Sequence, residues 1–353
     1  MDRNSNDTIS GLVSSNYLTQ MQEIFDMVIS IIAYIIIGMG PIGIAGNIVN
    51  LVVFLSLGFS ETIHMSYVAL AICDIGCILT TVWTSLTAST KVVEGILARF
   101  RVKTDFVILA NFTRSWPHLA LSRTTAALLT AWISFERCLC VFPPTRVKLI
   151  ITPRVTKTVI SVLYAIGCCP VVFAYVGFTT EMKFDPVTNV TTLLLFTNKG
   201  NQLKTLNQFA FLLYAVVYPV ISWVVVAISA VFLILKLKQS ARWRDANSRV
   251  IIAGSPLDRQ KKRMFCKEAR VIKTVVLIAC TFIFCSFPIS ATVLMRSIAR
   301  EYSLGGQYRF IIIISTGISY IFTEFNSSIN IAIYTFTGTK FRSALFDLFQ
   351  KRH

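Results

Sequence analysis

Seven apolar segments, near residues 25–56, 63–89, 112–141, 155–178, 207–237, 268–296 and 309–335, alternate with polar or basic stretches along the chain. A helix needs about 20 apolar residues to cross a bilayer core, and every segment reaches that length. None shows the alternation over about ten residues that marks a membrane β-strand. The pattern predicts an all-α membrane protein, a bundle of seven transmembrane helices. Beyond the seventh, Phe341, Leu345, Leu348 and Phe349 recur at helical spacing beside Lys340 and Arg342. That spacing predicts a short amphipathic helix lying in the membrane interface. The chain divides into a tail (1–24), a seven-span domain (25–337) and an amphipathic helix with a short tail (338–353), without internal repeats.

Composition agrees with a lipid solvent. Only 14% of residues are charged, against roughly 25% in soluble domains, and the mean hydropathy is +0.66. The opening residues Met1 to Asn6 lack the basic character of a secretory leader, so the first span is expected to act as its own insertion signal. The formal charge of +17 is unevenly placed. With the N-terminus outside, inner segments hold 21 of the 34 Lys and Arg and only six acids, which is the positive-inside pattern. Lys91, Arg99, Arg101 and Lys103 run against it, between spans two and three. The acceptor sequences at Asn6, Asn111 and Asn189 support it, because all three then lie outside, where glycosylation occurs. The expected location is the plasma membrane, multi-pass, with the C-terminus cytoplasmic. Inner loop three (238–267) is the longest and basic; it suits anionic lipid or an acidic protein partner, and nucleic acid is not expected. None of the nine cysteines is expected outside, and the three histidines lie far from the cysteine pairs. Neither a disulfide nor a metal site is predicted, and no cofactor or enzymatic residue set is visible.

Polar residues inside the spans carry the chemistry. Asn47 and Asn50 in span one, Asp74 in span two, and Asn326 and Asn330 in span seven would each be costly unpaired in hydrocarbon. A shared cluster of Asn47, Asp74, Asn326 and Asn330 satisfies them, serving either helix adhesion or a switch with a sodium ion on Asp74. Glu136-Arg137 places an acid–arginine pair at the inner end of span three, where charge marks function. Arg123 lies 14 residues earlier, about 21 Å away on nearly the same helix face. Arg123 and Glu324 are expected to border one outer cavity and to pair there or bind a charged ligand; snorkelling of Arg123 to the headgroups is the alternative. Pro41, Pro170, Pro219 and Pro288 permit kinks in spans one, four, five and six.

Taken in order, these residues resemble the rhodopsin-like family of G-protein-coupled receptors over about residues 40 to 345. Gly46-Asn47 matches its span-one motif, Leu70 to Asp74 its Leu-Ala-x-x-Asp, and Glu136-Arg137-Cys138 its Asp-Arg-Tyr, with Pro144 in the following loop. Pro219 matches in span five; Phe282, Cys285 and Pro288 match Phe-x-x-Cys-Trp-x-Pro; Asn330 to Tyr334 matches Asn-Pro-x-x-Tyr, and Phe341-Arg342 opens the eighth helix. Ser286 replaces the toggle tryptophan, Ile331 the span-seven proline, Ile160 the span-four tryptophan, Phe112 the span-three cysteine and Ala126 a sodium-coordinating serine. The resemblance implies a two-state receptor for an extracellular ligand that activates a heterotrimeric G protein. Glu136, Arg137, Glu268 and Tyr334 would form the activation switch, and Phe282, Cys285, Ser286 and Pro288 the hinge. Leu119 stands where amine receptors carry an acid, and Glu324 where opsins carry the retinal lysine, so neither ligand is expected; Arg123, Glu324 and Leu119 are the candidate pocket. The run from Leu121 to Pro153 is similar to orphan receptors of molluscs and related invertebrates. That resemblance implies a chemosensory role first and a neuropeptide receptor second. A transporter is the alternative from another class, and the absence of paired repeats argues against it.

Overall fold

A computed structural model describes residues 2–59, 61–88, 117–140, 151–176, 178–185, 190–197, 201–252, 256–299, 301–302 and 306–350. Within them, six helices are long and apolar enough to cross a membrane: Thr19–Ser56, Thr62–Thr87, Pro153–Phe173, Gln208–Gln239, Ala269–Arg296 and Arg309–Thr337. Span three is the seventh. It is a continuous helix whose first part, Leu119–Thr125, is π-helical and whose second, Ala126–Cys140, is α-helical. At the helical rise its length is about 30 Å, enough for a bilayer core.

Local chemistry sets the ends and breaks. Gly58 takes the left-handed φ of 71° just past the end of span one at Ser56, a conformation glycine reaches without strain. Span four starts with Thr152 as N-cap, its side chain accepting from the Val155 N–H at 3.3 Å, and Pro153 in the first turn. Cys169 interrupts that span before the short helix Pro170–Val176, as expected for a proline that cannot donate. In span five, a π-helical stretch, Leu213–Val217, precedes Pro219. Pro41 and Pro288 lie inside unbroken helices.

Glycines let span one approach span seven. A methyl group on Gly40, Gly43 or Gly46 would meet side chains within 4 Å, and those include Glu324, Ser328 and Ile331 of span seven. Small residues at three- and four-residue spacing allow such close backbone approach in membranes, where packing replaces the hydrophobic drive. Gly167 of span four does the same against Thr125 of span three. Hydrogen bonds stitch other pairs: Tyr214 Oη to Gly167 O at 2.8 Å, Tyr164 Oη to Ala69 O at 2.7 Å, and Thr274 Oγ1 to Thr337 Oγ1 at 2.7 Å.

Three features differ from the sequence expectation. The first helix runs Asp2–Ser56, so residues 2–24, expected as a tail ahead of span one, continue its helix. Its 55 residues span about 80 Å, far more than a bilayer core; no proline precedes Pro41 to stop it. Inner loop three is also largely helical, because the helices Tyr218–Ile252 and Pro256–Ile298 continue spans five and six through it. Finally, β1 (Phe178–Asp185) and β2 (Val190–Thr197) form an antiparallel hairpin between spans four and five. Their β-branched and aromatic residues favour strands. The terminal helix, Thr339–Gln350, is as predicted, with Phe341 buried in the bundle core.

Candidate functional site

At the Arg137 end, charge is enclosed by neutral donors. Glu136 is fully buried and Arg137 is 13% exposed; Arg137 Nη2 donates to Glu136 Oε1 at 2.7 Å. Two further donors come from span two: Thr62 Oγ1 to Glu136 Oε1 at 2.5 Å and Ser66 Oγ to Glu136 Oε2 at 3.0 Å. Sequence reasoning missed both, since hydroxyls at a helix start carry no signal of a partner 74 residues away. A carboxylate with three donors in a dry seam is held tightly in place, and it holds the guanidinium through charge-assisted geometry. Arg137 Nε, also buried, has no partner among the described residues. Beside the pair, Phe54, Tyr67, Tyr334 and Phe341 form an aromatic cluster with ring centroids 4.8–5.7 Å apart. Tyr334 thus joins spans one, two and seven to the terminal helix. Its hydroxyl is buried without a partner among the described residues, as is that of Tyr67. The side chain of Glu268 lies outside the described residues.

The interior polar cluster is present with one change of membership. Asn330 Nδ2 donates to Asp74 Oδ2 at 2.8 Å, and Asn47 Nδ2 donates to Ser327 O at 2.8 Å and Gly43 O at 2.9 Å. Asn326 is not among them. The helix is interrupted at Ile329, between Arg309–Ser328 and Asn330–Thr337. Asn326 and Asn330 would share a face of an unbroken helix at four-residue spacing; across the break, Asn330 meets Asp74 and Asn326 lines a cavity toward span six. The Ser327 hydroxyl is a further side-chain neighbour of Asp74, at the position where a sodium ion is the alternative expectation. Ala126 can offer that ion no side-chain oxygen.

The candidate ligand pocket needs a larger correction. Glu324 is 1% exposed and sits in the seam of spans one, two and seven, with Oε1 beside Gly40. The Thr81 hydroxyl of span two is the side-chain hydrogen-bonding neighbour of Glu324. Leu119 packs on Ala120, Ala210 and Tyr214. The side chain of Arg123 lies outside the described residues, and its backbone is in the π-helical stretch, where the 21 Å, same-face arithmetic of an ideal α-helix does not apply. Among the described residues, a cavity of about 560 Å³ lies between spans three, five, six and seven. The expected hinge lines it: Phe282, Cys285 and Ser286 face it, with Ala127, Trp223, Thr323 and Asn326. Ser286, at the toggle position, donates to Phe282 O at 2.5 Å, and its small side chain leaves open the volume an indole would fill. Pro288 lies one turn below Thr292, whose hydroxyl donates to the Pro288 carbonyl at 2.9 Å.

Of the glycosylation residues, Asn111 and Asn189 lie outside the described residues, as does the side chain of Asn6. Among the described residues no disulfide joins the cysteines and no cluster of three metal-ligating side chains occurs.

Known proteins resemble this arrangement at the level of family and fold. The model of the 7 transmembrane receptor (rhodopsin family) matches residues 46–334. The crystal structure of squid rhodopsin superposes with a TM-score of 0.64 at 15% identity, covering 92% of this chain and 86% of that one. No curated protein sequence matches the chain.

Proposed function

The chain belongs to the rhodopsin family of seven-transmembrane receptors, and from that premise we propose that it is a chemosensory G-protein-coupled receptor of the plasma membrane. Its N-terminus is extracellular and its C-terminus cytoplasmic, in keeping with the inner concentration of Lys and Arg. The observation that carries the reading is the Glu136–Arg137 pair, closed at 2.7 Å at one end of a bundle whose cavity abuts the same span three through Ala127. A ligand in that cavity touches spans three, five, six and seven together. If it fits better when span six has swung away from span three, it shifts the resting equilibrium toward an open inner cleft. There Arg137, freed from Glu136, faces a heterotrimeric G protein. Moving such an equilibrium from 1:99 to 99:1 takes about 5.5 kcal/mol of differential binding.

A small chemosensory ligand suits this cavity better than a peptide, since none of its lining residues carries a charge to anchor a peptide terminus or basic side chain. The test is a calcium readout in cells carrying a promiscuous G protein, challenged with a panel of small organic odorants and of short amidated peptides. The expected result is a saturating response to one or more small molecules. A response to peptides alone would replace the chemosensory reading with the neuropeptide one, and substrate flux without nucleotide exchange would point to a transporter.

A further inference from the structure

Three buried polar atoms at the Glu136–Arg137 pair lack a hydrogen-bond partner among the described residues: Tyr67 Oη, Tyr334 Oη and Arg137 Nε itself. Such groups are costly to leave unmade in a dry interior. An orphan in a native core calls for a reason, and a second arrangement in which it is paired is one.

The cause at Tyr67 is local. Thr62 and Ser66 precede it on span two and, with Arg137 Nη2, already place three donors on the Glu136 carboxylate. Tyr67 lies within electrostatic reach of both Glu136 and Arg137, yet the carboxylate is served without it. Its ring has little freedom, being 6% exposed and packed 5.0 Å from the Phe54 ring and 4.8 Å from that of Tyr334. The hydroxyl is therefore a fixed acceptor, and the long, flexible side chain of Arg137 is the part able to come to it. Of the two phenols, Tyr67 is the one that interacts with Arg137, while Tyr334 interacts with Tyr67 and Asp74.

We propose that Tyr67 is a positioning residue for the signalling step: its hydroxyl accepts from the Arg137 guanidinium once that group has left Glu136, and holds it at the inner cleft. In the closed state the phenol stands idle; in the open state it replaces part of what Arg137 loses. A guanidinium freed in a low-dielectric seam without an acceptor is costly. An acceptor fixed beforehand lowers that cost and so favours opening. The bond is to a charged group, which shifts the equilibrium about tenfold or more. The inference rests on the receptor reading for its consequence but not for the bond itself.

A hydroxyl without a partner in the closed structure separates this role from ordinary packing. Tyr67→Phe, Glu136→Gln and the double variant are compared with the natural chain, full length in neutral nanodiscs, by thermal unfolding and by ligand-free GDP release from a heterotrimeric G protein. Tyr67→Phe alone is expected to leave the unfolding midpoint unchanged or to raise it, because it deletes an unpaired group. In the Glu136→Gln background, where Arg137 is loosened, the same change is expected to lower the midpoint by a few degrees and to cut GDP release about tenfold. A packing role would lower the midpoint equally in both backgrounds, and that result overturns the proposal. So does a loss in the Glu136→Gln background that Tyr334→Phe reproduces and Tyr67→Phe does not. GDP release that Glu136→Gln raises and the added Tyr67→Phe leaves unaltered keeps the receptor reading and overturns the proposal. Midpoints that follow the expected pattern while no variant releases GDP uphold Tyr67 as the acceptor and refute the receptor reading.

Discussion

Thr62→Val is the most informative perturbation of the inner lock. The two side chains are nearly the same shape, so the substitution removes one hydroxyl and little else. That hydroxyl donates to Glu136 Oε1 at 2.5 Å, and the same oxygen receives Arg137 Nη2 at 2.7 Å. A hydrogen bond to a charged group contributes about 1.5–3 kcal/mol. Thr62 is only half-buried, and water can partly replace its hydroxyl, so the lower figure applies. If the bond exists only in the closed state, its loss raises the open fraction about tenfold, taking a resting ratio near 1:99 to about 1:10. The assay is ligand-free exchange of GDP for a non-hydrolysable GTP analogue on a heterotrimeric G protein, with receptor in nanodiscs at matched amounts. Glu136→Gln should raise basal exchange further, and adding Thr62→Val to it should then change little, because the two act through one carboxylate. Basal exchange that Thr62→Val leaves unaltered, or effects of the two changes that simply add, would refute the lock as drawn.

Other expectations follow from packing. Gly167→Ala places a methyl carbon 2.2 Å from Thr125 Oγ1, which is itself bonded to Ala120 O at 2.9 Å; overpacking of this kind costs about 1–3 kcal/mol, so the unfolding midpoint should fall, and Thr125→Ala should restore most of it. Asn330→Ala removes the 2.8 Å partner of Asp74 and should destabilise the fold by about 1.5–3 kcal/mol, measured by the same thermal unfolding; no change would mean that water or an ion takes its place. Lys340→Met cuts the 2.6 Å ion pair with Glu61, but Lys340 is 53% exposed and Glu61 34%, so stability should change by less than about 1 kcal/mol.

The spans were legible in the sequence because lipid imposes one rule on every residue that faces it, and the Glu136–Arg137 pair because charge at a helix end stands out in that solvent. The Asp74–Asn330 bond was legible for the same reason: each polar group needs a partner in the interior. Asn326 was misplaced because a single-residue break at Ile329 re-aims everything on one side of it, and residues 326 to 334 hold no proline to announce the break. Glu324 was misplaced because its face depends on the rotation of span seven. The glycines of span one fix that rotation by drawing Glu324 and Ser328 against Gly40 and Gly43. Thr62 and Ser66 were invisible as hydroxyls of no special pattern. The hairpin had its signal in the β-branched run Val190-Thr191-Thr192 and its partner strand, which are too short and too polar to register in the apolar pattern of the spans.

The central claim is that Arg137 is the group released to a G protein when the cavity is occupied. The measurement that tests it most directly is the rate of GDP release from a heterotrimeric G protein mixed with nanodisc-embedded receptor, with and without a cavity-filling ligand found in the cell assay, for the natural protein and for Arg137→Ala. The account predicts ligand-accelerated release with the natural protein and none with Arg137→Ala, while ligand binding to the variant persists. Equal acceleration by both would contradict it.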